Sequence, residues 1–189
     1  DHQIAFGTEM VLTLENSDYF FQYGYLKNRL DYYFIAFQNA NFFPVDLYSV
    51  GRLRHYGFQG IISHPFSRFQ RLDYGLSWHN INYSILEQTI NDFGQAEFTT
   101  MFSSLYSTVL PRLSWVYDNS IFGFTGPIDG FRQNTTLTVS PGYGSNELKF
   151  QTVKSDVRKY WRFGRDYTLA IRGFFGKSLG PNKQKFFLG

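Results

Sequence analysis

The feature that most constrains this chain is an alternation of apolar and polar residues with a period of two. It is clearest from 72 to 79 and recurs at 113–118, at 131–140 and from 167 onward. Successive side chains of a β-strand point to opposite faces, so this pattern predicts amphipathic strands. The apolar set is Leu72, Tyr74, Leu76, Trp78, Leu113, Trp115, Tyr117, Leu137, Val139, Leu169 and Ile171. The polar set is Arg71, Asp73, Ser77, Arg112, Ser114, Arg132, Thr136, Thr138 and Arg172.

The composition suggests what the two faces contact. Aromatic residues make up 21% of the chain and charged residues only 17%, whereas ordinary soluble domains are about 25% charged. The polar positions carry Ser, Thr, Asn, Gln, Gly and isolated Arg or Asp rather than dense Lys and Glu. This favours a membrane β-barrel whose apolar set faces lipid and whose polar set faces a wet lumen. A soluble β-barrel with an aromatic core remains the alternative.

The alternation and the turn residues between its segments predict an all-β, antiparallel chain of about eleven strands. The predicted strands are 2–12, 18–26, 29–38, 50–62, 67–79, 81–89, 96–106, 109–119, 130–141, 147–162 and 166–177. Short turns are predicted at 27–28, 63–66, 91–94 and 163–166. We expect these turns to lie together at one end of the barrel, joined there by the longer connection at 120–129.

Several function classes lack their sequence signals. The chain has no cysteine, which excludes zinc-finger, thiol-enzyme and disulfide scaffolds. Its net charge of +3 is weak and scattered, so no nucleic-acid partner is predicted. Its histidines are His2, His55, His64 and His79, and they have no metal-ligand spacing. No cofactor motif and no nucleophile elbow occur. An outer-membrane enzyme such as a lipase is the least favoured class, and neither an enzyme nor a cofactor is predicted.

The segment from Asp156 to Tyr160 contains an acid and a base two residues apart. Asp156 and Arg158 point the same way on a strand. They form either a lumen pair, which offsets the cost of desolvation, or a surface ion pair of little energetic value. The alternation favours the lumen. The lumen-facing candidates are therefore Arg71, Asp73, Arg112, Arg132, Asp156, Arg158 and Arg172.

The C-terminal part of the chain resembles the BamA/TamA superfamily of outer-membrane assembly factors. The segment from Asp118 through Pro127 to Gly130 is similar to the family's Asp…Pro-x-x-Gly periplasmic turn. The segment 155–160 is similar to an Asp-x-Arg-x-Tyr strand, and 169–173 to an upward strand. Phe186, Phe187 and Gly189 look like the start of the Phe-Phe-x-Gly-Gly segment that opens the sixth outer loop. The segments 1–3 and 64–69 resemble family barrels that follow a TolB-like propeller.

The resemblance implies a barrel in the bacterial outer membrane, of which residues 1–189 form a single, partial domain. Family barrels have sixteen strands, so strand 166–177 is expected to pair with strands outside this sequence. Strand 2–12, with Ile4, Phe6 and Met10, is expected to be the gate edge and not to close onto 166–177. The implied function is insertion or translocation of other proteins. The implied partners are outer-membrane lipid, client proteins, and other outer-membrane or periplasmic subunits. A porin, or a structural barrel in a surface complex, is the alternative.

Overall fold

A computed structural model describes residues 1–10, 13–27, 29–90, 96–124, 126–142, 148–164 and 167–186. These residues form an all-β structure, as predicted, apart from one 3-10 turn at Leu14–Asn16. The strands are β1 His2–Glu9, β2 Asp18–Tyr25, β3 Asp31–Pro44, β4 Ser49–Pro65, β5 Gln70–Ile90, β6 Ala96–Asp118, β7 Ile121–Phe122, β8 Pro127–Pro141, β9 Lys149–Phe163 and β10 Tyr167–Leu179. The described part contains no helix with the length and apolar character needed to cross a membrane.

The strands form a single antiparallel sheet in which chain neighbours are also sheet neighbours. The order is β1-β2-β3-β4-β5-β6-β8-β9-β10, and the two-residue β7 pairs with β8. Within the described residues, β1 pairs only with β2 and β10 only with β9. The expectation that the first and last strands do not close onto each other is therefore confirmed, and the sheet has two open edges.

The predicted strand count is wrong, and so is the expectation that β5 and β6 are joined at the same end of the sheet as the other turns. The predicted strands 67–79 and 81–89 are one strand, β5, and 96–106 and 109–119 are one strand, β6. Their pairing runs from Gln70 opposite Tyr117 to Ile90 opposite Ala96, with one irregularity between Ile85 and Leu86. Ile90 and Ala96, the ends of β5 and β6 on either side of 91–94, therefore lie at the opposite end of the sheet from the β4–β5 connection, which the structure places at 66–69 rather than at 63–66. Residues 91–94, like 28 and 165–166, lie outside the described residues.

The sheet is staggered, and this stagger tilts its strands relative to the line of turns. We call the end with the β2–β3, β4–β5, β6–β8 and β9–β10 connections the lower end, and the opposite end the upper end. One row of cross-strand partners starts beside the β2–β3 turn and finishes well up β9 and β10. It consists of Tyr25, Tyr32, Ile62, Tyr74, Leu113, Leu137, Val153 and Lys177. Stagger of this kind is what curved, barrel-forming sheets require.

The turn between β6 and β8 brings together the residues that carry the family resemblance. Asp118 ends β6 and its carboxylate accepts bonds from the backbone N–H and the hydroxyl of Ser120. Asn119 exchanges backbone and side-chain bonds with Phe131. Gly130 has a φ of 108°, and an added Cβ would lie 2.6 Å from the Asn119 carbonyl oxygen. A glycine is therefore required where the chain re-enters the sheet. Pro127 begins β8, opposite Phe122.

Candidate functional site

The two predicted residue sets lie on opposite faces of the sheet. On neighbouring strands Tyr74 pairs with Leu113, and Leu113 with Leu137, whereas Asp73 pairs with Ser114, and Ser114 with Thr136. All members of the apolar set share one face, which we call the apolar face, and all members of the polar set share the other, the polar face. Asp156 and Arg158 also lie on the polar face. What each face contacts remains a prediction.

Burial on these faces is the reverse of that in a soluble domain. The apolar face exposes large side chains such as Ile171, at 54%, whereas Ser114 on the polar face is 1% exposed. Among the described residues, the buried apolar side chains are only Val116, Phe150 and Tyr160. Isolated exposed apolar residues are ordinary in soluble proteins, but a continuous exposed apolar face marks an interaction surface.

Hydrogen bonds between hydroxyl groups on neighbouring strands pair the buried polar side chains of the polar face. Thr108 and Ser140 are 2.7 Å apart, Ser114 and Thr136 2.9 Å, and Thr152 and Ser178 3.1 Å, each measured between hydroxyl oxygens. The Ser63 hydroxyl donates to the Asp73 carboxylate. These bonds let small polar side chains pack closely without leaving buried donors or acceptors unpaired.

Four charged residues on the polar face lie on one row of the sheet. Asp118 is opposite Arg132, Arg132 is opposite Arg158, and Arg158 is opposite Arg172. We call this row the arginine rung. One step up, Asp156 accepts from Arg158 through Nε and Nη2, both at 3.0 Å, and from Arg172 Nη2 at 2.7 Å. Arg132 Nε lies 3.4 Å from the Asp118 carboxylate.

A small cavity opens beside the arginine rung. Its volume is about 130 Å³, and it is lined by Arg132, Asn134, Asp156 and Arg158. The remaining lumen-facing candidates are bonded on the same face. Arg71 Nε lies 3.3 Å from the Asp73 carboxylate, and Arg112 donates to the Ser114 hydroxyl at 3.2 Å.

The apolar face changes character at one level of the sheet. Above Trp78 in β5, the next positions on that face are Asn80, Asn82 and Ser84, and neighbouring strands place Gln38, Arg54 and Ser107 there. Gln38, Tyr56, Asn80 and Ser107 form one row, and Arg54 lies one row above, opposite Asn82; we call these five residues the polar boundary. It is held from above, because the Gln38 amide donates to the carbonyls of Leu14 and Ser17, both at 2.9 Å.

The polar face changes in the opposite sense at the same level. Above His79 it carries Ile81, Tyr83 and Ile85, and Tyr83 lies with ring centroids 6.0 Å from Phe43 and 6.1 Å from Phe102. The alternation in β5 therefore changes phase at 79–80 without a break in the strand. A change of phase within one strand explains why the sequence pattern predicted two strands.

Two histidines meet at the level of this phase change, which sequence spacing did not reveal. His55 Nε2 and His79 Nδ1 are 2.9 Å apart, and the Phe37 ring packs edge-on against His55 at 4.9 Å. His79 Nε2 is 2.9 Å from the Ser77 hydroxyl. The only sequence signal would have been a correct pairing of β4 with β5.

The remaining predicted residues lie at the sheet edges. Ile4 and Phe6 are exposed on the apolar face of β1, and Met10 is exposed just beyond that strand. Phe186 folds back onto the polar face, where its ring lies over Gly176 and 5.3 Å from Lys154 Nζ. Phe187 and Gly189 lie outside the described residues.

Comparison with protein-family models and with curated proteins found no match to this chain. The BamA/TamA resemblance therefore remains a prediction from the motifs.

Proposed function

We propose that this chain forms part of the wall of a bacterial outer-membrane β-barrel, with its apolar face toward lipid and its polar face toward a wet interior. The observation that carries the proposal is the reversed burial of the two faces. Large side chains such as Leu76, Trp115 and Ile171 are exposed together on one face. Lipid removes the cost of such exposure, and a hydrated lumen suits the hydroxyl and charged side chains opposite.

We call the part of the apolar face below the polar boundary the apolar belt, and its height supports this proposal. Along β6 the belt consists of every second residue from 109 to 117, namely Val109, Pro111, Leu113, Trp115 and Tyr117. At about 3.3 Å per residue, this segment of β6 is roughly 26 Å long. A tilt of about 40° gives a height of roughly 20 Å, which is close to the apolar band of about 25 Å in membrane barrels. The polar boundary, including Gln38 and Arg54, supplies an upper limit on neighbouring strands.

We further propose insertion or translocation of other proteins as the role of the barrel. The family resemblance supports this role, and so does the exposure of every residue of β1 at an open sheet edge. Unpaired backbone groups at such an edge can pair with an incoming strand. Client proteins and other envelope subunits would then be its partners.

A porin is the second candidate, because the polar face carries exposed charged side chains such as Arg132 and Arg172. Conductance across a planar bilayer separates the two functions. A barrel that inserts proteins is expected to conduct little at rest and to cross-link to a client strand through β1. A porin is expected to conduct steadily and to form no such cross-link.

Single cysteines test the membrane wall directly, because the chain has none of its own. The matched pairs are Leu113→Cys with Ser114→Cys, and Leu137→Cys with Thr136→Cys, each carrying an environment-sensitive fluorophore after refolding into lipid vesicles. Nitroxide lipids should quench the first member of each pair, and aqueous iodide the second. Equal quenching by iodide at both members of each pair would refute the wall.

A further inference from the structure

Three arginines face one another directly across β8, β9 and β10. Like charges placed opposite each other in a sheet are destabilising, so Arg132, Arg158 and Arg172 need a reason to share a rung. The carboxylates that contact them are Asp118 and Asp156. Three guanidinium groups against two carboxylates leave one positive charge in excess, and Lys154 lies one step further up the same face.

The guanidinium groups keep donors outside these ion pairs. Asp156 engages Nε and Nη2 of both Arg158 and Arg172, so Nη1 of each lies outside those bonds. Arg132 contacts Asp118 through Nε. Each guanidinium has five N–H donors in a planar fork, and all three side chains are more than a third exposed. A solute on the polar face can therefore reach them.

The cavity beside the rung has the size and the lining for an oxyanion. Its volume of about 130 Å³ equals roughly four waters at about 30 Å³ each, which is enough for one tetrahedral anion. Asn134 contributes a neutral donor, since its carbonyl oxygen accepts from the Thr136 hydroxyl at 3.2 Å and its amide nitrogen is left to donate. Paired N–H donors of arginine match the oxygens of phosphate.

We propose that the arginine rung is a binding site for a phosphate-type oxyanion carried by a solute on the polar face. Arg132, Arg158 and Asn134 supply the donors, and Asp156 occupies part of the site as an internal counter-ion in the absence of the anion. The proposal goes beyond the membrane wall and does not depend on it, because cysteine labelling reports the wall separately.

The first test measures binding of inorganic phosphate to the full chain, refolded in neutral phosphatidylcholine bicelles, by ³¹P line broadening and calorimetry. We expect saturable binding, weakened at least tenfold by Arg158→Gln and by Arg132→Gln. Arg132→Lys should also weaken it, because lysine keeps the charge but loses the fork. Arg162→Gln is the matched control, since Arg162 is on the same strand and donates to the Gly164 carbonyl outside the rung. No binding to the parent chain, or equal losses in the control, would overturn the site.

The variant Asp156→Asn tests whether the arginine rung binds an anion or is only a structural network of ion pairs. If Asp156 competes with the anion, this variant should melt at a lower temperature without phosphate, bind phosphate several-fold more tightly, and recover stability when phosphate is added. A stability loss that phosphate does not reverse, with unchanged or weaker binding, would mean that the rung is only structural and would overturn the proposal.

A lipid headgroup carries the same chemistry, so a second arm replaces part of the phosphatidylcholine with phosphatidylglycerol. Phosphate binding that persists at the same affinity supports a solute ligand. Binding of phosphatidylglycerol that depends on Arg158, with no binding of inorganic phosphate, would overturn the solute site and assign the rung to lipid.

Discussion

Leu113→Arg, compared with Leu105→Arg, gives the strongest test of the proposed lipid contact. Both leucines are on the same strand, β6, and on the same face, and they are exposed to nearly the same extent, at 40% and 44%. Leu113 lies in the middle of the apolar belt, whereas Leu105 lies above Ser107 of the polar boundary. If this face contacts water, the two substitutions should therefore change the free energy of unfolding by similar amounts.

If the apolar belt contacts lipid, the two substitutions should change the free energy of unfolding by very different amounts. Arginine at the bilayer midplane of a barrel costs about 2–4 kcal/mol, falling to about 0–1 kcal/mol near the interface. We therefore expect the free energy of unfolding in lipid vesicles to fall by about 2–4 kcal/mol for Leu113→Arg and by less than about 1 kcal/mol for Leu105→Arg. Urea titrations followed by tryptophan fluorescence measure both. Losses that agree to within about 0.5 kcal/mol would refute the lipid contact.

Three further predictions concern local features of the sheet. Gly57→Ala should destabilise the chain by about 1–3 kcal/mol, because its Cβ would meet the Trp78 backbone carbonyl, whereas Gly60→Ala on the same strand has open space and should be near neutral in the same urea titration. Gln38→Ala should speed amide hydrogen exchange at Ser17, because Gln38 donates to the carbonyls of Leu14 and Ser17; unchanged exchange there would contradict the assigned role. Hydrogen bonds from the Tyr48 backbone N–H and then the Ser49 hydroxyl hold the pKa of the Asp46 carboxyl below its ordinary value. The ionised Asp46 carboxylate therefore contributes stability above its pKa in the unfolded chain, and this contribution is lost as the pH falls through its lower pKa in the folded chain. The NMR chemical shift of the Tyr48 amide should follow this titration, and Asp46→Asn should abolish the pH dependence of that shift.

The sequence predicted the faces of the sheet better than the lengths of its strands. Alternation around Tyr74, Leu113 and Leu137 assigned side chains to faces correctly, because the pleat imposes a period of two on every strand. The same rule could not reveal that β5 continues past Asn80, because the alternation changes phase there while the backbone pairing continues. Strand length depends on a partner strand that a local pattern does not contain.

The candidate site was predicted in its members but not in its arrangement. Asp156 and Arg158 stood out because residues two apart on a strand share a face. The alignment of Arg132, Arg158 and Arg172 on one rung depends on the register between three strands, which a local sequence pattern does not contain. The contact between His55 and His79 depends on register in the same way.

The change of phase in β5 connects the fold with the proposed membrane location. A strand whose two faces keep the same surroundings has no physical reason to exchange its apolar and polar sides. In this sheet, Leu76 and Trp78 precede Asn80 and Asn82 on one face, while Asp73 and Ser77 precede Ile81 and Tyr83 on the other. Both faces therefore change from one residue character to the other at one level of the sheet. The proposed lipid boundary would produce this change: below it the outer face would meet lipid and the inner face water, and above it the outer face would meet water while the aromatic side chains pack inward.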